Sequence, residues 1–558
     1  MSAPWMSDRG DAADRRPDAP WLAGLALAAL ATGLLVWPVG EFPLNDDWSY
    51  ARFVQSLLAG APRYTGWTSL PLVAQGVWGA GFCLPAGFSF FALRLSAAVA
   101  GLLGAGGMYA LGRSVGFGRP SAFFAALTLA ANPIHLNLSW TFMTDVPFLA
   151  AAVWALTGYV RYFSDGRGRW LWLGAGASLA AALVRPIGAA LPVAFALASG
   201  CGGRGAARRR GYGPAAIVLP AAMLFCAYAE RRWGLPPFWR DQGVVLRDAF
   251  GTAAGWHRVA PRLGEVFIYL GLFSLPFELA RRADSGGGWR RTGALFVLAA
   301  ALALGLARSG LRLPFTGNVL HEGGLGPVRL MDVVTHAAPH APRTAAGWWV
   351  AATALGAAGA LMGVSRWREA LRGARAWSPD RRRTLALFAG CAAAWTLPLV
   401  PASYIDRYVL ALLPLWLLAP APDNAGRRGG ATTWAAAGLA LALMAAFSVA
   451  ATRDYFAWNR ARWHLLEEAL GPGQLAPDQI DGGFEFNGWF GGDRVRLAPA
   501  GSLPSDRSWW WVGATEYAVA LGPVPGYREL DRRPYPRWVG RGPGAILWLR
   551  RDHPESTP

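Results

Sequence analysis

The sequence predicts an all-α, polytopic membrane bundle of about thirteen spans, followed by a small C-terminal α/β domain outside the membrane. Three observations lead there. The 558 residues have a mean hydropathy of +0.26, with 54% hydrophobic and only 16% charged residues, against roughly 25% charged in soluble domains. Apolar stretches close to the roughly 20 residues needed to cross a bilayer recur along most of the chain. From about residue 451 that pattern stops, and a polar segment with its own helix and strand signals begins.

Taken in order, the apolar stretches lie near 21–39, 88–111, 121–139, 144–162, 170–184, 187–199, 213–232, 263–280, 292–308, 346–364, 384–401, 404–420 and 432–450. The run 68–83 is apolar but short and broken by Pro71 and glycines, which suits a helix lying at the interface. The first stretch lacks a convincing small-residue cleavage site and reads as a retained span. With residues 1–20 cytoplasmic, every short inner loop carries arginine. Arg113 and Arg119 come first, then Arg161, Arg167 and Arg169, then Arg204 with Arg208–Arg210. Arg281, Arg282, Arg290 and Arg291 follow, then the arginines of 365–383, and Arg427 with Arg428. Basic inner loops are the expected sign of that orientation. It puts 40–87, 233–262 and 309–345 outside, together with 451–558. The domains are therefore 1–20, a membrane domain 21–450 and an extracytoplasmic domain 451–558.

The C-terminal segment opens with an amphipathic helix, RDYFAWNRARWHLLEEAL, stopped by Gly471-Pro472-Gly473. Strand-like runs RSWWWVGATEYAV and GAILWLRR follow, separated by Gly/Pro-rich turns. About 100 residues suffice for a modest core.

The net charge of +19 comes entirely from arginine, since the chain has no lysine. Nucleic-acid binding is one reading of such a balance. Richness in Ala, Gly, Pro, Arg and Trp together with loop placement favours a GC-rich genome and membrane topology instead. Cys83, Cys201, Cys226 and Cys391 form no CxxC or Cys-His pattern, and His336 and His340 flank a proline, so neither a disulfide framework nor a metal site is indicated. No P-loop, no GxGxxG after a strand and no GxSxG elbow occurs.

The polar groups that need a reason sit at the outer edge. Asp46 and Asp47 follow the first span in EFPLNDDWSYARF. Carboxylates beside hydrocarbon lose hydration, so two in a row imply use. Helix capping before Ser49–Leu58 accounts for one of them. A carboxylate that takes a proton from a hydroxyl suits glycosyl transfer. Asp145, between spans three and four, either caps the next helix with Pro147 in its first turn or shares the outer site. Arg94 and Arg185 interrupt apolar stretches, and an intramembrane arginine is a functional candidate whose partner is a lipid phosphate; snorkelling is the alternative. Arg407, in Asp406-Arg407-Tyr408, either pairs with Asp406 or holds a phosphate leaving group.

Four motifs then resemble one family. NDDWSYA in the first outer loop, NPIHLNLSWTFMTDVPF in the second, LVRPIGAALP, and DRYVLALLPLWLL occur in order from about 40 to 420. The chain resembles the C-type (GT-C) membrane glycosyltransferases, in the bacterial branch related to protein O-mannosyltransferases and the lipid A aminoarabinose transferase. The resemblance implies a GT-C-like bundle and a donor sugar on a polyprenyl phosphate in the outer leaflet of the inner membrane. A lipid, glycan or protein acceptor would approach from outside, with inversion at the anomeric carbon. Asp46 matches the family's catalytic first-loop aspartate and would be the general base. Asp47 departs from the commoner Asp-Glu pair, and Asp145 matches the second-loop acid. Arg407, Tyr408, Arg185 and Arg94 would face the donor phosphate. Tyr50 belongs to the first motif and stands on the acceptor side. IDGGFEFNGWFGGD resembles a segment of bacterial members of this kind; its Glu485, Asn487 and Trp489 either contact a sugar or form a Gly-rich turn with a packing tryptophan. No cofactor is expected beyond the lipid-linked sugar itself, with a divalent metal left open, and no nucleic-acid partner. The competing readings are a transporter or flippase of lipid-linked saccharides, which would show paired halves with broken helices, and a polymerase or ligase leaning on a large outer loop such as 309–345.

Overall fold

The computed structural model describes residues 17–68, 71–201, 206–234, 247–285, 289–331, 345–418, 431–471, 475–495 and 516–552, apart from positions 316, 328, 374, 375, 398, 403, 404 and 541. Among the described residues, seven helices are long and apolar enough to cross a membrane: Ala19–Val36, Phe90–Ser114, Asp145–Asp165, Arg210–Trp233, Ala253–Arg281, Ala346–Gly373 and Trp434–Ala469. Each matches one of the thirteen expected spans. The other six fall on helices that are shorter, interrupted or charged. The 121–139 stretch breaks at Asn132, whose side chain accepts from the Ile134 and His135 amides and caps a new helix at Pro133. Arg185 takes an extended backbone (φ −141°, ψ 133°) ahead of Pro186, separating Gly168–Val184 from Ala190–Gly200. The helix Val409–Leu417 has 9 residues.

Small residues let the bundle pack closely. A Cβ on Gly271 would collide with the Gly356 carbonyl, so the helices Val259–Ser285 and Ala346–Gly373 meet backbone to backbone. The short 68–83 run gives the helix Val73–Cys83, tied down by Gln75, whose amide donates to the Phe142 carbonyl at 2.9 Å.

The boundary expected at 450 falls inside a continuous helix, Ala431–Ala469, of 39 residues. No Gly or Pro interrupts it between Ser448 and Leu470. At 1.5 Å per residue it is about 58 Å long, roughly twice the hydrocarbon thickness. It carries Tyr455, Phe456, Trp458, Trp463 and Leu466 to a four-stranded sheet of order β3-β4-β6-β5, comprising Ile480–Asp481, Tyr517–Ala520, Gly544–Arg551 and Tyr527–Tyr535 respectively. β3 runs parallel to β4, and the other pairs are antiparallel. A separate hairpin joins β1 (Leu320–His321) to β2 (Gly324–Leu325). Residues 507–515 of the first strand-like run lie outside the described residues.

This C-terminal unit is not a detached bead. One hydrophobic core unites the long helix and the sheet with Phe42 and Leu44 of the loop after the first span and Leu136 of the helix Pro133–Leu138. The segment expected as a Gly-rich turn is instead the helix Phe484–Val495. Its Gly488 and Gly492 lie one turn apart and both press on the Trp48 indole, where a Cβ at either would clash. The helix thereby docks on the first-loop helix Asp47–Leu58.

Candidate functional site

Four charged side chains from four distant segments meet at one place. Asp46 precedes the first-loop helix and makes no side-chain cap, so helix capping does not account for it. One of its carboxylate oxygens, Oδ1, accepts from Trp67 Nε1 at 2.9 Å, and Oδ2 accepts from Arg407 Nη2 at 3.1 Å. Asp145 opens the helix Asp145–Asp165. Its Oδ2 lies 2.8 Å from Arg185 Nη2 and 3.9 Å from Arg407 Nε. Arg185 Nε donates to Thr144 Oγ1 at 2.7 Å, and its guanidinium stands 5.9 Å from the Tyr408 ring centre. The charges thus alternate: Asp46, Arg407, Asp145, Arg185.

The arrangement is incomplete as a hydrogen-bonded network. Among the described residues, Arg407 Nε and Nη1 are buried without a hydrogen-bond partner, and so are both oxygens of Asp145, whose arginine contacts satisfy distance but not direction. Buried polar groups are normally satisfied, so such vacancies mark strain or a ligand's place. Asp46 and Arg185 keep 14% and 19% side-chain exposure, against 2% for Asp145.

Other expected residues have different jobs. Asp406 does not pair with Arg407. It is fully buried, and its carboxylate accepts from the Val319 and Leu320 amides at 3.0 and 2.7 Å, anchoring the loop that enters β1. The two neighbours point apart, one to the loop and one to Asp46. Asp47 is 1% exposed, and its oxygens accept from the Leu44 and Phe142 amides, clasping the loop after the first span to the segment just ahead of Asp145. Burial pushes its carboxyl well above the usual carboxylate range, against the pull of Arg94 and of these two amides. Arg94, expected near the donor phosphate, donates instead to the Pro38, Gly40 and Phe42 carbonyls and lies over the Phe42 ring at 4.5 Å. It pins the chain as it leaves the first span. Tyr50 is buried in the membrane-domain core.

In the C-terminal segment, Glu485 is buried with both oxygens engaged. Oε1 accepts from the Asn45 amide at 3.0 Å and Oε2 from Arg462 Nη2 at 2.9 Å. Asn487 buckles its own turn, accepting from the Gly482 amide and donating to Asp481 Oδ1. Trp489 lies under Arg52, 3.8 Å from the ring centre, and against Phe88 and Phe90.

Trp67 was not singled out by sequence reasoning. It is set by a hydroxyl cluster, Ser49, Thr65 and Thr68, with oxygens 2.7–3.1 Å apart, which fastens residues 65–68 to the first-loop helix. The compact run YTGWTS is the available signal, and nothing in its pattern points to Asp46. Among the described residues no three His, Cys, Asp or Glu side chains form a metal site. His336 and His340 lie outside the described residues. Cys83, Cys201, Cys226 and Cys391 are unbridged.

The sequence matches the family model described as dolichyl-phosphate-mannose-protein mannosyltransferase over residues 71–228. The resemblance to these membrane glycosyltransferases is borne out over that segment. It includes Arg94, Asp145 and Arg185, and excludes Asp46 and Arg407. No curated protein matches the chain. Among solved structures, ArnT from Cupriavidus metallidurans bound to undecaprenyl phosphate aligns at 16% identity and TM-score 0.42, over 95% of this chain and 98% of that one. The apo oligosaccharyltransferase of Archaeoglobus fulgidus aligns at 15% identity and TM-score 0.43, over 81% of this chain. This chain spans 58% of that longer protein.

Proposed function

We propose that the protein is an integral membrane glycosyltransferase that moves a sugar from a polyprenyl-phosphate carrier to an acceptor on the extracytoplasmic side. The observation that carries this is the cluster of Asp46, Arg407, Asp145 and Arg185, with two Arg407 nitrogens buried and unmatched among the described residues. A guanidinium offers N–H groups in a fork that fits phosphate oxygens. The carboxylates hold the arginines charged and in place before the donor arrives.

Arg407 and Arg185 take the carrier phosphate, with Tyr408 beneath Arg185. The phosphate competes for Arg407 and draws it from Asp46. Asp46, still oriented by Trp67, then accepts the proton of an acceptor hydroxyl. The hydroxyl oxygen attacks the anomeric carbon, and the bond from that carbon to the phosphate oxygen breaks. Polyprenyl phosphate leaves with the extra negative charge, which Arg407 stabilises. A single displacement of this kind inverts the anomeric centre. Should the acceptor itself be a phosphate, Asp46 orients it and removes no proton. The arginine-rich loops support a cytoplasmic N-terminus, with this site and the C-terminal unit outside.

The test is transfer in proteoliposomes from a defined set of polyprenyl-phosphate sugars, comparing the parent with Asp46→Asn. The parent is expected to transfer from at least one donor, and the variant to lose about 10²–10⁴ in rate. Undiminished transfer by the variant removes Asp46 as base. Inactivity of the parent with every such donor, alongside saturable uptake of one of them, favours the transport reading.

A further inference from the structure

The peptide that carries Asp46 is in an uncommon conformation. Asn45 has φ +57°, the left-handed region that non-glycine residues seldom occupy. Two hydrogen bonds hold it. Asn45 Oδ1 accepts from the Asp46 amide at 2.9 Å, and the Asn45 amide donates to Glu485 Oε1 at 3.0 Å. The second bond joins residues 440 apart in sequence.

Glu485 sits at the end of a rigid bracket. Arg462 is fully buried on the long helix and spends all three of its nitrogens. Nη2 donates to Glu485 Oε2, Nε to the Gly482 carbonyl at 2.9 Å, and Nη1 to Asn459 Oδ1 at 3.3 Å. Asn487 and Asp481 lock the intervening turn. The Trp48 indole, adjoining Asp47, is clamped by Gly488 and Gly492 of the same C-terminal helix.

We propose that Glu485, fixed by Arg462, is a positioning residue for Asp46: the C-terminal unit holds the backbone of the catalytic loop in the left-handed turn that aims the carboxylate. This inference rests on the reading of Asp46 as the group that handles the acceptor. It assigns Glu485 a role in geometry, since both of its oxygens are engaged and the side chain is buried away from any incoming sugar. It also gives the long helix a purpose beyond the membrane, because Arg462 lies in the part that projects from it.

The test uses the full chain in proteoliposomes. Glu485→Ala is expected to lower kcat about 10- to 100-fold, in line with a displacement on the order of 1 Å at a reacting group, with KM for the acceptor unchanged. Adding Asn45→Gly to Glu485→Ala is expected to recover part of that loss, because glycine adopts positive φ without a steric penalty, a gain that is set against the lost bond from the Asp46 amide to Asn45 Oδ1. A variant whose defect is a raised acceptor KM, with kcat intact and no help from glycine, overturns the proposal in favour of direct acceptor contact. A merely structural role would lower the melting temperature and the active fraction without the kcat-specific rescue.

Glu485→Ala leaves the Arg462 charge buried and alone. Should it not fold, the paired replacement Arg462→Met with Glu485→Leu removes both charges and is expected to fold and show the same kcat loss. Hydrogen exchange over residues 43–47 supplies a readout independent of activity: faster exchange is expected in these variants, and unchanged protection overturns the inference. Asp46→Asn run beside them separates the two ideas. If that variant stays active the base assignment fails, whereas if it is inactive and the Glu485 variants keep the parent kcat, only the positioning inference fails.

Discussion

Arg462 and Arg407 are both buried arginines at the junction of the membrane bundle and the C-terminal unit, each facing acids, and they are built differently. Arg462 is closed: every nitrogen has a partner, and both oxygens of its carboxylate, Glu485, are engaged. Arg407 is open: one nitrogen meets Asp46, and two have no hydrogen bond among the described residues. A closed ion pair fixes shape. An open one keeps directional donors in reserve, at an energetic cost that a bound anion would relieve. The same division runs through the other sequence candidates. Arg94, Asp47 and Asp406 bind backbone groups of loops and frame the site; Asp46, Asp145 and Arg185 surround Arg407 and form it.

The contrast can be broken from either side. The largest effect is expected at the open centre: Asp46→Asn loses about 10²–10⁴ in kcat, with little change in melting temperature, measured by sugar transfer and thermal unfolding of the same preparation. Next comes the closed centre. Arg462→Ala strands the Glu485 charge and is expected to destabilise by about 3–5 kcal/mol, seen as a lowered unfolding midpoint in detergent, with the transfer rate falling in the folded fraction as well. Arg407→Lys keeps charge but loses the fork. It is expected to raise the donor KM roughly tenfold, equivalent to about 1.4 kcal/mol, with stability near that of the parent. Gly488→Ala pushes a methyl into the Trp48 indole and is expected to cost about 1–3 kcal/mol as overpacking, with a smaller kcat loss than Glu485→Ala. At the bottom of the scale, Arg532→Ala breaks an exposed pair with Glu529 on β5 and is expected to change neither melting nor transfer. A change there comparable to that at Arg462 would mean burial is not what separates the two kinds of pair.

Helix positions were legible because hydrophobic stretches report them directly. The stretch 144–162 became Asp145–Asp165, and 88–111 became Phe90–Ser114. The break at Asn132–Pro133 was written in residues that cap and start helices, and was overlooked because the flanking apolar run continues. The continuity of Ala431–Ala469 was hidden for the opposite reason. Polarity changes at 451 while helix propensity does not, so the change in composition does not mark where the helix ends. At the site, Asp46 and Arg185 stood out as charge where charge is costly, and Asp145 and Arg407 through the motifs that hold them. Arg94 stood out for the same reason as Arg185 and serves the loop instead. Cost signals that a buried charge has a partner, and only geometry says whether the partner is backbone or ligand. Trp67 and the Glu485 bracket carry no local signature, because their significance lies in contacts made across 21 and 440 residues.

The most direct test of the open centre is a structure of the protein with polyprenyl phosphate bound. The account expects a phosphate oxygen at about 3 Å from Arg407 Nη1 or Nε and another near Arg185, with the Arg407–Asp46 contact lengthened. A phosphate bound elsewhere, with Arg407 still resting on Asp46 as it does here at 3.1 Å, would contradict it.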